Sequence, residues 1–161
     1  MAAARLALTY KDQAGAFDHR RHHFHNYLYL GIHLAIIEAR MHSKRLLDHF
    51  QNPRNAGGLA PPAVKVDVTN PACGDMLRLS ARFENGRVAE ARFLTRGCTA
   101  AIASSSALTE WMTGKTFAEL AQLAPNVIED SVGGLEPASK HAAVLCVDAL
   151  RQLLAAASRT A

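Results

Sequence analysis

The chain has 161 residues, of which 49% are hydrophobic and 20% charged, a composition typical of one soluble globular domain. Its net charge of +4 is a mild excess with scattered basic positions, which argues against a nucleic-acid-binding protein. No apolar run reaches the roughly 18 residues that span a membrane. Three cysteines without an apparent secretory signal indicate free thiols or thiolate ligands in a reducing cytoplasm.

The first 40 residues differ in composition from the rest of the chain. They hold five of the eight histidines, and histidines this close together form an ordinary polar tract more often than a metal site. Asp12, Asp18 and Glu38 argue against a transit peptide. The sequence predicts an N-terminal extension over 1–40, either disordered or the product of an upstream start assignment, and a folded domain over 41–161.

After Met41 the pattern predicts one helix, a long loop and three strands. Ser43 is a typical helix-capping residue and predicts a helix to about Phe50. A loop rich in Asn, Gly and Pro follows as far as Pro62. Apolar and polar residues then alternate over 64–69, 77–83 and 89–93, the pattern of an antiparallel sheet with one buried face. Asn85-Gly86 predicts a hairpin turn between the second and third strands.

The second half of the chain predicts helices. Residues 99–112 are rich in alanine and end before Gly114, a typical helix stop. Thr116 with Glu119 has the spacing of a capping box for a short helix. A further turn of helix is expected over 125–131, and Ser139 is expected to cap a final helix to about residue 157. The predicted fold class is α+β, a small three-stranded antiparallel sheet with helices packed on one face.

Two cysteines and an aspartate fall beside the ends of the predicted strands. Cys73 and Asp75 lie between the first two strands, and Cys98 follows the third. Because the second and third strands form a hairpin, these residues are expected at the same edge of the sheet. Cys98 also begins a predicted helix, whose N-terminus favours the thiolate that binds metals. Gly74 is expected to let the backbone pass close to a bound ion.

The spacing of the cysteines is also compatible with a purely structural role for them. Small buried cysteines are common, and the chain contains no C-x-x-C pair that would mark a zinc site. Two thiolates, a carboxylate and one further donor would suit Zn²⁺, Fe²⁺ or an iron–sulfur cluster.

Several ordered stretches resemble the NifU/IscU-type scaffold family of iron–sulfur cluster assembly, from Met41 to about residue 156. The matching stretches are residues 46–55, 70–75, 91–98, 100–106 and 110–115. The resemblance implies an IscU/SufE-like fold. It also implies a scaffold or carrier rather than a turnover enzyme, which takes sulfur from a cysteine desulfurase and iron from an iron donor. The carrier would pass a [2Fe–2S] cluster to acceptor apoproteins.

The same resemblance implies the ligands. Cys73, Cys98 and His141 match the family's ligand positions, and Asp75 would keep the cluster labile. The family has a cysteine directly after this histidine, where the chain has Ala142. Cys146 lies one helical turn further on, so it is either a displaced ligand or, as its apolar neighbours favour, a core residue.

Two alternatives follow from these departures. One is a zinc-binding sulfur-transfer partner of a desulfurase, with persulfide on Cys73 or Cys98. The other is a degenerate relative that binds no cluster and acts as an interaction protein, since the third cysteine is absent. Residues 135–140 match the family's chaperone-docking motif poorly, which argues against a dedicated Hsp70-type chaperone.

Overall fold

The computed structural model describes residues 42–159. The predictions for the N-terminal extension and its boundary at Met41 lie outside these residues. In chain order the elements are α1 (Lys44–Gln51), β1 (Val64–Thr69), β2 (Met76–Glu84), β3 (Arg87–Arg96), α2 (Thr99–Met112), α3 (Phe117–Leu120), α4 (Pro125–Ser131), a 3₁₀ turn (Pro137–Ser139) and α5 (His141–Ala157). Among the helices of the described part, none is long and apolar enough to cross a membrane.

The three strands form one antiparallel sheet in the order β1-β2-β3. Leu79 of β2 pairs with Val66 of β1 and with Phe93 of β3, so the sheet presents a continuous apolar face. Asn85 and Gly86 join β2 to β3 with φ angles of 51° and 74°, the left-handed conformation that a two-residue hairpin turn requires. The predicted alternation and the predicted hairpin are both confirmed.

The helices pack on the apolar face of the sheet, which confirms the α+β class. α5 lies against β1 and β2, α2 lies against β3, and α1 packs on α2. Large side chains such as Leu108 and Leu150 are almost fully buried between these layers. Alanines line the buried sides of α2 and α5, and their small side chains let the two helices approach closely.

The long loop after α1 covers the outer edge of β3. The Gly57 N–H donates to the Phe93 carbonyl at 2.8 Å, and the Phe93 N–H donates to the Asn55 carbonyl at 3.1 Å. These bonds pair backbone groups of an edge strand that would otherwise be open to association with another chain.

Two local predictions need correction. β3 runs from Arg87 to Arg96, longer than predicted at both ends, because its ends pair with β2 despite the poor alternation there. Ser139 does not cap α5: it ends a 3₁₀ turn, and Lys140 precedes the helix in a helical conformation without a side-chain cap. In α1, Ser43 caps the helix as predicted.

Candidate metal centre

The ends of all three strands meet at one edge of the sheet. Met76, the first residue of β2, pairs with Thr69 at the end of β1 and with Arg96 at the end of β3. The loop before Met76 and the segment after Arg96 therefore emerge side by side. This placement brings the regions of Cys73 and Cys98 together, as the hairpin predicts.

The loop between β1 and β2 is shaped by local hydrogen bonds. The Asn70 side chain accepts from the Ala72 N–H at 2.9 Å, and the Gly74 N–H donates to the Asn70 carbonyl at 2.8 Å. The Asn70 N–H donates to the Asp75 carbonyl at 2.8 Å, which closes the loop. Gly74 has φ 77°, and a side chain there would contact nothing within 4 Å. The turn conformation, rather than a lack of space, therefore requires glycine at position 74.

Asp75 belongs to a compact group of three potential ligands and also lies beside a fourth, Cys98. Ligand atoms of Cys73, Asp75 and His141 all lie within 4.8 Å of one another. Asp75 Oδ2 is 3.3 Å from His141 Nε2 and 3.6 Å from Cys98 Sγ. Adjacent ligand atoms of a tetrahedral Zn²⁺ or iron site are about 3.5 Å apart. We call these four residues the ligand edge.

Cys98 occupies the N-cap of α2. Its Sγ accepts a hydrogen bond from the Ala101 N–H at 3.4 Å, as expected for a residue at a helix N-terminus. The expected preference for thiolate is nevertheless reversed in the metal-free protein. Partial burial raises the pKa of the Cys98 thiol, and the Asp75 carboxylate raises it further, against the opposing effect of the backbone N–H groups. A bound cation would neutralise that carboxylate and favour the thiolate.

His141 is the first residue of α5, and one of its ring nitrogens lacks a hydrogen bond among the described residues. Its Nε2 is buried and, among the described residues, forms no hydrogen bond. The short distance to Asp75 Oδ2 therefore brings the two atoms close without hydrogen-bond geometry. A buried imidazole nitrogen beside a carboxylate and a thiol is the arrangement expected of a ligand facing a metal position. The donor set fits iron or zinc.

Cys146 does not join this group. It has no exposed surface, it belongs to the core of α5, and burial raises its pKa to about 12. Ala142, which stands where the family has its third cysteine, is also fully buried. For Cys146 to act as the displaced ligand, α5 would have to move along its axis by about one turn, roughly 5 Å.

Two features of the structure were missed by the sequence analysis. Gly97 lies directly beside the Asp75 side chain. His49 is buried, with its Nδ1 2.9 Å from Ser106 Oγ. Neither feature has a local sequence signal, since both depend on contacts between distant segments.

The ligand edge combines exposed thiols with a buried carboxylate. Cys73 and Cys98 are exposed, while Asp75 is only 6% exposed and is held between Cys98 and His141. Exposed thiols are accessible to metal ions or sulfur donors from solution. The buried carboxylate is held in one position by its neighbours.

Known proteins resemble this chain over most of the described residues. The sequence profile of the family described as the NifU-like N-terminal domain matches residues 41–159. An iron–sulfur cluster assembly scaffold protein, IscU 1, of Archaeoglobus fulgidus is 38% identical over 114 residues, covering 71% of this chain and 74% of that protein. The IscU scaffold protein of Azotobacter vinelandii is 40% identical over 114 residues, covering 68% of this chain and 88% of that protein.

A solved structure shares the fold. The N-terminal part of a NifU-like protein from Brucella abortus superposes with a TM-score of 0.59 at 20% sequence identity. The match covers 74% of this chain and 95% of that one.

Proposed function

The chain belongs to the NifU-like N-terminal domain family, and on that premise we propose that it is a scaffold on which iron–sulfur clusters are assembled for transfer to other proteins. One observation carries the proposal: two cysteines, an aspartate and a histidine from three separate segments meet at one edge of the sheet. The chain acts as a carrier, and its cargo is a [2Fe–2S] cluster or its iron. Zinc is an alternative occupant of the same donors.

The four side chains offer different types of ligand to the cargo. Cys73 and Cys98 supply soft thiolate ligands, the kind that iron–sulfur clusters prefer. His141 adds an imidazole nitrogen from the start of α5. Asp75 adds a hard oxygen ligand, which exchanges more readily than a thiolate. Two thiolates instead of three, with a carboxylate beside them, favour release of the cargo over permanent storage.

A scaffold needs partner proteins that supply sulfur and iron and others that accept the finished cluster. We infer that a cysteine desulfurase supplies sulfur to the exposed thiols, that an iron donor supplies the metal, and that acceptor apoproteins take the finished cluster. The exposure of Cys73 and Cys98 supports direct contact with such partners. Free thiols require a reducing compartment, so we place the protein in the cytoplasm.

Anaerobic reconstitution tests this proposal. Metal-free protein is incubated with Fe²⁺, cysteine, a cysteine desulfurase and the reductant dithiothreitol, which supplies the electrons that turn persulfide sulfur into sulfide, and iron, sulfide and visible absorption are then measured. We expect bound iron and sulfide in equal amounts, and transfer of both to an apo-ferredoxin. Protein that binds no more iron and sulfide than its Cys73→Ser variant would contradict the scaffold function.

A zinc-dependent sulfur-transfer protein is a second candidate, because ligand atoms of Cys73, Asp75 and His141 within 4.8 Å of one another also suit one tetrahedral Zn²⁺. In that case the zinc-loaded protein should accept persulfide on Cys73 or Cys98 from the desulfurase without binding iron. Mass spectrometry of each thiol after turnover, with and without Fe²⁺, separates the two candidates. Binding of neither metal would leave the third alternative, an interaction protein without a cluster.

A further inference from the structure

We propose that Gly97 is a positioning residue for Asp75: the absence of a side chain at position 97 makes the space in which the Asp75 carboxylate sits between Cys98 and His141. The inference rests on the proposed function, since it concerns how the ligand edge holds its cargo. It assigns a role to a residue that contacts no cargo itself.

The register of the sheet places the two residues opposite each other. Met76 pairs with Arg96, so the next residues outward, Asp75 and Gly97, face each other beyond the last pair of the β2–β3 ladder. A methyl group at position 97 would lie 2.7 Å from both Cγ and Oδ1 of Asp75, and 3.0 Å from its Cβ. Non-bonded carbon atoms normally stay about 3.5–4.0 Å apart. The entire Asp75 side chain, not merely its tip, occupies this space.

Backbone conformation does not explain the glycine. Gly74 and Gly86 have positive φ angles, whereas Gly97 does not, so an alanine at 97 would adopt its backbone without strain. The requirement is for space alone. Gly58 provides a matched comparison, because it also lacks a positive φ and a methyl group there would meet only Leu94 Cδ1, at an ordinary 3.9 Å.

Any side chain at 97 must therefore displace Asp75. The aspartate is 6% exposed and held by its neighbours, so relief comes from rotating the carboxylate away from Cys98 and His141. That rotation removes the oxygen donor from the group of ligands while leaving all four ligand residues in the sequence. Gly97→Ala should consequently behave at the site like loss of the Asp75 carboxylate.

Cobalt binding to the metal-free full-length protein tests the inference, because the absorption spectrum of Co²⁺ reports the number and type of its ligands. Co²⁺ is titrated into the wild type, Gly97→Ala, Asp75→Gly, the double variant of these two, and Gly58→Ala. We expect Gly97→Ala and Asp75→Gly to share one altered spectrum and to weaken Co²⁺ binding about 10- to 100-fold. The double variant should be no weaker, and Gly58→Ala should match the wild type.

Two results would overturn the positioning role. One is a wild-type spectrum in Gly97→Ala. The other is a double variant in which the two losses of affinity add, because independent effects would mean that Gly97 does not act through Asp75.

Thermal unfolding of the metal-free proteins gives a measurement that needs no metal at all. Gly97→Ala should lower the melting temperature in the wild-type background but not in the Asp75→Gly background, where the contacting atoms are absent. If Gly97→Ala alone does not fold, the double variant should still fold, and its failure to do so would also refute the inference. A wild type that binds no Co²⁺ would overturn the proposed function, while this unfolding comparison would still decide whether Gly97 makes room for Asp75.

Discussion

The ligand edge and the helical interior each hold a cysteine and a histidine, in opposite surroundings. At the ligand edge, Cys98 is exposed and His141 has a buried nitrogen without a hydrogen-bond partner among the described residues. In the interior, Cys146 is fully buried in α5, and His49 is hydrogen-bonded to Ser106 between α1 and α2. The residue types are the same, but the first pair lies beside Asp75 at the ligand edge, whereas the second pair is enclosed by packed side chains.

The interior pair is held in its uncharged form. Burial raises the pKa of Cys146 to about 12. Burial also lowers the pKa of His49, and the positive charge of Arg54 lowers it further against the opposing effect of Glu110. The difference between the regions shows that exposure and unsatisfied ligand atoms, rather than residue type, distinguish candidate ligands from core residues.

The largest expected effect comes from removing a thiol of the ligand edge. Cys73→Ser and Cys98→Ser should each abolish tight binding of iron or zinc, because each removes one of only two soft ligands. Metal content after anaerobic loading, measured by elemental analysis, checks this. Unchanged metal stoichiometry in either variant would remove that residue from the set of ligands.

A third thiol at position 142 should increase the retention of a bound cluster. Ala142 follows His141 directly at the start of α5 and is fully buried. Ala142→Cys should raise cluster retention several-fold while lowering the stability of the metal-free form, because the larger side chain enters packed surroundings. Cluster lifetime in the presence of a chelator and the melting temperature measure the two effects. No gain in lifetime would mean that α5 does not present residue 142 to the site.

The interior cysteine should behave in the opposite way. Cys146→Ala removes one buried sulfur and should cost about 1 kcal/mol of unfolding free energy through lost packing. Its metal content should equal that of the wild type, which makes it the matched control for the two serine variants. Denaturant unfolding and elemental analysis of the same preparation check both statements, and loss of metal would return Cys146 to the ligands.

The smallest expected effect is the pH response of His49. A histidine whose pKa is lowered by folding stabilises the fold fully above its ordinary pKa of about 6.5, and that contribution is lost as the pH falls towards the lowered value. The wild type should therefore lose stability as the pH falls below about 6.5. His49→Gln should lack this part of the loss, although it is less stable at pH 7.5. Melting temperatures of both proteins at pH 5 and pH 7.5 provide the comparison, and parallel losses would assign the response to other groups.

Much of the fold follows from local sequence patterns. The alternation in β1 and β2, the Asn85-Gly86 turn and the capping box at Thr116 depend on neighbouring residues, and each is present as predicted. The meeting of Cys73 and Cys98 could also be inferred, because antiparallel pairing brings fixed strand ends together. The choice of Asp75 as a candidate ligand followed from its place beside Cys73, whereas the proposed role of His141 came from family resemblance.

By itself, then, the sequence determined the order of helices and strands, the class of the fold and the edge at which the two cysteines meet. Only the tertiary structure decided that Gly97 lies against Asp75, that His49 is buried on Ser106, and that the Cys98 thiol has a raised pKa. Secondary structure depends on residues close in the chain, whereas steric contact, burial and charge proximity depend on segments that folding brings together.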